Sequence, residues 1–147
     1  MKTIKLKHFI RSIFPVSILL FIIFTHEACT RKIAFSTSTV VPAAQGSVKL
    51  KKDNNNNYNI DLSVMRLADP KRLNPPKNIY VVWMDTEQNG TKNIGQLKSS
   101  SSLFSKTLKS SLKTVTPFKP TGIFITAEDN ANIQYPGEEI VLRTGHF

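Results

Sequence analysis

Residues 79–84 read IYVVWM, the longest uninterrupted apolar run outside the first 28 residues of this 147-residue chain. β-Branched and aromatic side chains at nearly every position are typical of a strand buried on both faces. Residues 88–90 (QNG) form the next turn signal, and residues 91–97 (TKNIGQL) return as a partner strand, because Asn-Gly favours a tight hairpin. We therefore predict a central antiparallel hairpin, with Trp83 as a core anchor between two sheets.

On the N-terminal side of this hairpin the sequence alternates. Residues 47–51 (SVKLK) and 58–67 (YNIDLSVMRL) place apolar and polar side chains in turn, as half-buried strands do. Residues 53–57 (DNNNN) separate them and read as a turn, since Asn tolerates positive φ. The prolines at 70, 75 and 76 then restrict the backbone to a loop.

On the C-terminal side the pattern is less uniform. The apolar residues of the next segment fit a helical spacing, but its Ser and Thr content favours one or two strands; they are Leu103, Phe104, Leu108, Leu112 and Val115. Residues 118–122 predict a break in the strand pattern. Residues 123–128 then predict a second core strand, and residues 140–144 predict the last strand. About seven short strands predict an all-β fold over residues 40–147, an antiparallel immunoglobulin-like β-sandwich, with a small barrel as the alternative.

The first 28 residues have the composition of an export signal. Four basic residues precede an uncharged apolar run at 13–24, which is the layout of a secretory signal peptide. A membrane-spanning helix needs about 20 apolar residues, so the run is short for a permanent span. An uncleaved single span is the alternative, and it would export the rest of the chain as well.

Cys29 is the chain's single cysteine and follows the small residue Ala28 directly after the apolar run. This arrangement resembles the lipobox of bacterial lipoproteins, although His26 stands where an aliphatic residue is usual. The resemblance implies cleavage before Cys29 and lipid attachment to its thiol; an ordinary signal peptide is the alternative. We accordingly predict a lipoprotein signal at 1–28, a tether at 29–39 and an envelope location facing the periplasm or the exterior.

A second resemblance covers residues 79–142. Residues 80–85 (YVVWMD), 93–97 (NIGQL), 123–128 (IFITAE) and 140–142 (IVL) resemble, in this order, the extracytoplasmic domain of anti-sigma-K-type factors. The resemblance implies a β-sandwich outside the membrane. In that family a sigma-binding segment precedes the apolar run, whereas twelve residues, four of them Lys or Arg, stand before it here. The expectation therefore concerns the fold rather than sigma-factor inhibition.

The side-chain inventory predicts a protein that is not an enzyme. Without residues 1–28 one histidine is left, His146, which cannot be assembled with an acylated Cys29 into a nucleophilic site. No metal-ligand spacing or Gly-rich phosphate loop occurs, so no cofactor is expected. A glycosidase built on two carboxylates is the enzyme alternative, and its candidates all lie at strand ends or turns: Asp85, Glu87, Glu128, Asp129, Glu138 and Glu139.

The charge of the exported part favours anionic partners. Removing residues 1–28 takes away four of the 20 Lys+Arg residues and one of the 10 acidic residues, which leaves a net charge of +7. The lysines fall mostly at alternating or turn positions, where a solvated strand face would place them. We expect a membrane-tethered interaction module that binds an envelope protein or an anionic glycan, and no nucleic acid. A membrane-anchored sensor related to anti-sigma factors is the alternative, and the loops at 54–57 and 69–76 are the most accessible surfaces.

Overall fold

The structure, a computed structural model, describes residues 30–100 and 109–147. Within these residues the chain forms nine strands and a short 3₁₀ turn at Pro70–Arg72. The strands are β1 (Arg31–Ala34), β2 (Gln45–Lys52), β3 (Tyr58–Met65), β4 (Ile79–Thr86), β5 (Thr91–Gln96), β6 (Lys98–Ser100), β7 (Lys109–Thr116), β8 (Pro120–Glu128) and β9 (Ile140–Arg143). Several predictions fall outside the described residues. They concern the predicted signal segment 1–28, the predicted lipid-attachment residue Cys29, and Leu103, Phe104 and Leu108.

The strands pair antiparallel in two sheets, with the orders β1-β2-β3-β7-β6 and β5-β4-β8-β9. If β2 is taken as strand A of an immunoglobulin domain, the first sheet has the order A-B-E-D with β1 added at its edge. The second sheet then has the order C′-C-F-G. The predicted immunoglobulin-like sandwich is confirmed, and the short strands β1 and β6 raise the number of strands from about seven to nine.

The main core lies between the two sheets and consists of the inward side chains of alternating strands. Val48, Ile60 and Leu62 of the first sheet share one cluster with Val82 and Ile125 of the second, and each is at most 1% exposed. Leu112 of β7 packs against this cluster, and all of Lys109–Thr116 is extended. The strand prediction for this part of the ambiguous segment is therefore confirmed.

The tether predicted for residues 29–39 is corrected by β1. Arg31–Ala34 pair with β2, and Ile33 packs against the core. Phe35 then forms a bridge to Thr144, so the chain passes from the edge of the first sheet to the edge of the second. Four residues are too short a stretch for the alternation of side chains to stand out in the sequence, and the first described strand begins at Arg31, before the predicted domain boundary at residue 40.

Trp83 is buried, but it does not lie between the sheets. Side chains alternate along β4, and Tyr80, Val82 and Met84 occupy the inter-sheet core. Trp83 therefore points to the opposite face, where it clusters with Val81 and Phe124. The predicted burial of β4 on both faces is confirmed, and the expectation that Trp83 anchors the two sheets to each other is wrong.

Candidate functional site

The outer face of the five-stranded sheet carries exposed lysines from four of its strands. Outward positions on β1, β2, β6 and β7 present their side chains to solvent on this side. We call this surface the lysine face; its cations are Lys32, Lys49, Lys51, Lys98, Lys109 and Lys113. Asp61 is the one acidic residue in the five strands as the structure describes them, so the face has a net charge of +5.

The strand register sets the spacing of these charges. Lys32, Lys49, Asp61 and Lys113 are successive cross-strand neighbours in one row. Neighbouring strands are about 4.8 Å apart, and Lys51 follows Lys49 about 7 Å along β2. Lys32 and Lys49 place like charges directly opposite each other, a pairing that destabilises a sheet slightly. The sheet thus holds its cations in a regularly spaced array.

Asp61 does little to neutralise the lysine face. The Lys113 Nζ atom is 3.6 Å from Asp61 Oδ2, and the Lys113 side chain is 80% exposed. An ion pair with this exposure contributes little free energy and is screened by salt. The field of the lysine face is therefore directed into solvent.

The outer face of the four-stranded sheet is different, because the β8–β9 connection covers it. We call residues 129–139 the cover loop. Ile133 packs against Trp83 and Phe124, whose ring centroids are 6.3 Å apart. The Asn93 side-chain amide of β5 donates to the carbonyl oxygens of Ala131 and Ile133 at 2.9 and 3.2 Å. Among the residues that the structure describes, the chain itself covers the outer face of one sheet and leaves that of the other uncovered.

A buried hydrogen-bond network joins the cover loop to the sheet. The Trp83 indole N–H donates to Thr126 Oγ1 at 2.8 Å, and the Thr126 hydroxyl donates to Glu128 Oε1 at 2.5 Å. The Gly137 backbone N–H donates to the same Glu128 oxygen at 2.8 Å. Glu128 is only 7% exposed, and its carboxylate is held by the Thr126 hydroxyl and the Gly137 backbone N–H.

Three more of the candidate carboxylates take part in ion pairs. Asp85 contacts Arg143 at 3.2 Å, Glu87 contacts Lys119 at 3.0 Å and Asp129 contacts Lys77 at 2.9 Å. The hydrogen bonds to Asp129 and Glu87 raise the pKa values of the Lys77 and Lys119 ammonium groups. In residues 30–100 and 109–147 no three His, Cys, Asp or Glu side chains are grouped so that they could hold a metal ion.

A cavity of about 290 Å³ opens at the end of the sandwich that carries the β3–β4 loop. Its lining is about equally apolar and polar, with Leu67 and Leu97 beside Asp69 and Tyr80. The Tyr80 hydroxyl donates to the Ala68 carbonyl oxygen at 3.0 Å. Burial, and to a smaller extent the negative charges of Asp69 and Glu139, raises the pKa of Tyr80 to about 12. The cavity is small, and a neutral phenol already bonded to the backbone is its most notable polar group.

The two loops predicted to be accessible lie at opposite ends of the sandwich. Residues 54–57 connect β2 to β3 at the end where β1 begins, and residues 69–76 border the cavity at the other end. Solvated lysines are predictable from the sequence, but their location on one face of one sheet is not. Alternation along β2 indicated that Lys49 and Lys51 share a side; only the sheet order adds Lys32, Lys98, Lys109 and Lys113 to them.

Comparison of the chain with protein-family models, curated proteins and solved structures finds no match. The resemblance to the anti-sigma-K extracytoplasmic domain therefore stays a prediction. None of the described residues belongs to a helix with the length and apolarity needed to cross a bilayer.

Proposed function

We propose that this protein is a non-enzymatic, lipid-anchored envelope protein whose sandwich binds an acidic polysaccharide through the lysine face. The observation that supports this proposal is the concentration of six exposed lysines and one acid on the outer face of one sheet, which no other described residues cover. A flat array of cations spaced by about 5 to 7 Å suits a polymer with repeated negative groups better than it suits a single small anion.

The N-terminus is compatible with lipid anchoring. Only Thr30 separates Cys29 from β1 in the sequence, so a lipid on Cys29 would hold the sandwich close to the membrane, where envelope polysaccharides are found. Acyl chains contribute about 0.8 kcal/mol for each buried CH₂ group, and two or more chains give stable anchoring.

The proposal is tested by charge reversal on the purified full chain in detergent. The probe is polygalacturonate, a uniform acidic polysaccharide, and the measurement is its affinity over a series of salt concentrations. We expect Lys49→Glu combined with Lys51→Glu to weaken binding about tenfold or more, which corresponds to about 1.4 kcal/mol. Affinity of the unmodified chain should fall as salt rises, because the interaction is between exposed charges.

A matched control changes the net charge equally at another place. Lys71→Glu combined with Arg72→Glu reverses two cations of the 3₁₀ turn in the β3–β4 loop, which does not belong to the lysine face. We expect this variant to lose clearly less affinity than the Lys49 and Lys51 reversal, since its two cations are not among those proposed to contact the polymer. Equal losses of affinity in both variants would show that binding depends on net charge and not on the lysine face, which would contradict the proposal. Absence of any binding to polygalacturonate would contradict it as well.

A further inference from the structure

Three of the four cation–aromatic pairs of the described residues lie at one end of the sandwich. The distances from the cation to the ring centroid are 5.7 Å for Lys52 over Tyr58, 5.4 Å for Lys92 over Phe118 and 5.6 Å for Arg31 over Phe147. The fourth pair, Arg143 with Phe124, belongs to the covered face. We call these six residues the basal platform: Arg31, Lys52, Tyr58, Lys92, Phe118 and Phe147.

The strand register shows that these pairs share one end. Lys52 and Tyr58 are the last pair of the β2–β3 ladder before its turn, and Tyr58 is also opposite Thr116, the last residue of β7. Phe118 lies in the β7–β8 turn that follows, and Lys92 lies just after the β4–β5 turn. The basal platform therefore draws residues from both sheets and from the turn between them.

The chain leaves the sandwich toward Cys29 at the same end. Arg31 opposite Leu50 is the first pair of the β1–β2 ladder, and the Phe147 backbone N–H donates to the Thr121 carbonyl oxygen nearby in β8. Cys29 comes two residues before Arg31 in the sequence, and two residues of extended chain span at most about 7 Å. A lipid on Cys29 would consequently bring the bilayer to this end and to no other.

We infer that the basal platform rests on the bilayer surface and contacts anionic phospholipid headgroups. This inference depends on the lipid anchor of the proposed function. Aromatic rings beside Lys and Arg are the side chains that occupy the headgroup region of membranes, where the ring is partly desolvated and the cation reaches the phosphates. Phe118 is 36% exposed and so is available for this contact.

Asp53 and Glu87 at this end have partners outside the basal platform, so they do not neutralise its cations. The Asp53 carboxylate accepts hydrogen bonds from the backbone N–H groups of Asn55 and Asn57 within the β2–β3 turn. Glu87 is paired with Lys119, which is not part of the basal platform. Basic residues are attracted to an anionic membrane surface, so three of them at one end orient a tethered domain.

The inference is tested on the full acylated chain reconstituted in vesicles of phosphatidylcholine with phosphatidylglycerol. Spin labels are attached in turn to Asn55→Cys, at the end with the basal platform, and to Lys71→Cys, at the opposite end; Cys29 does not react when acylated. We expect relaxation by oxygen and by a water-soluble nickel complex to place the label at position 55 in the headgroup region and the label at 71 in water.

Replacing the exposed ring gives the matched comparison. We expect Phe118→Ser to remove the headgroup contact of the label at 55, and Tyr135→Ser, which removes a 79% exposed ring from the cover loop, to preserve it. Soluble glycerol phosphate should not displace the contact, because the occupant is a bilayer and not a free phosphate. A label at 55 that stays in water in an acylated sample would overturn this inference alone, whereas an unmodified Cys29 mass would overturn the lipid anchor and with it this inference.

Discussion

Trp83 belongs to β4 and lies on the covered outer face of the four-stranded sheet. Its burial follows from its type and from the apolar run around it, and the structure leaves it 0% exposed. Its face of the sheet does not follow from the sequence. Residues 79–84 are apolar throughout, so no alternation shows which side chains point into the inter-sheet core. The polar partner was equally hidden: Thr126 lies 43 positions from Trp83, and only the β4–β8 pairing brings them together.

Tyr80 provides a pH-dependent prediction at this scale. Its pKa is raised to about 12, against about 10 when unfolded, so the folded state holds the phenol proton more tightly. This contribution to stability is complete below pH 10 and is lost as the pH rises toward 12. At pH 11 the loss is about 1.4 kcal/mol, and we expect denaturant titrations to show it.

The comparison for Tyr80 is Tyr80→Phe, which removes the titrating group. We expect this variant to be about 1 kcal/mol less stable at neutral pH, because the hydrogen bond to Ala68 is lost. Its stability should then fall less steeply than that of the unmodified chain between pH 9 and pH 11. Parallel curves for the two proteins would show that Tyr80 is not protected as described.

At the scale of elements, strands with clear chemical patterns were predictable and the others were not. The β2–β3 hairpin follows from alternation around an Asn-rich turn, and β4 with β5 follows from an apolar run beside Asn-Gly. β1 could not be predicted because four residues are too few for an alternation to stand out, and the strand is defined by its pairing with β2. β8 begins at Pro120, inside a predicted break, since the first position of a strand tolerates proline.

The cover loop gives the prediction at this scale. Asn93→Ala removes the two side-chain hydrogen bonds to Ala131 and Ile133, and we expect it to destabilise the domain by about 1 to 2 kcal/mol. Because the loop is then held at fewer points, backbone hydrogen exchange of residues 129–139 should become faster. Hydrogen-exchange mass spectrometry measures this directly.

Asn132→Ala is the control for the cover loop, since Asn132 is an exposed residue of the same segment. We expect it to leave the exchange of residues 129–139 unchanged. If Asn93→Ala and Asn132→Ala exchanged alike, the cover loop would be held by its apolar contacts, such as that of Ile133 with Trp83, and not by the Asn93 amide.

At the scale of the whole molecule, the sandwich has two unlike outer faces. Six of the nine acids in the described residues belong to the β4–β5 and β8–β9 side; they are Asp85, Glu87, Glu128, Asp129, Glu138 and Glu139. The opposite outer face carries the six cations of the lysine face. Composition predicted the excess of positive charge, but its separation depends on the strand order β1-β2-β3-β7-β6, a long-range property that no single segment encodes.

This asymmetry connects the two proposals. The lysine face extends along the sandwich, and the basal platform closes the end from which the chain runs to Cys29. A domain seated on its basal platform would hold the lysine face at a steep angle to the bilayer, where a polymer in the envelope can reach it. Lipid on Cys29 is the condition for this orientation, which makes Cys29 the central claim.

The measurement that tests this claim most directly is the intact mass of the full-length gene product purified from membranes, beside a Cys29→Ser variant. We expect the mass of residues 29–147 plus a diacylglyceryl group and one further acyl chain, and we expect the variant to lack both the cleavage and the lipid. An unmodified mass near 16.5 kDa in both proteins would contradict the lipid anchor.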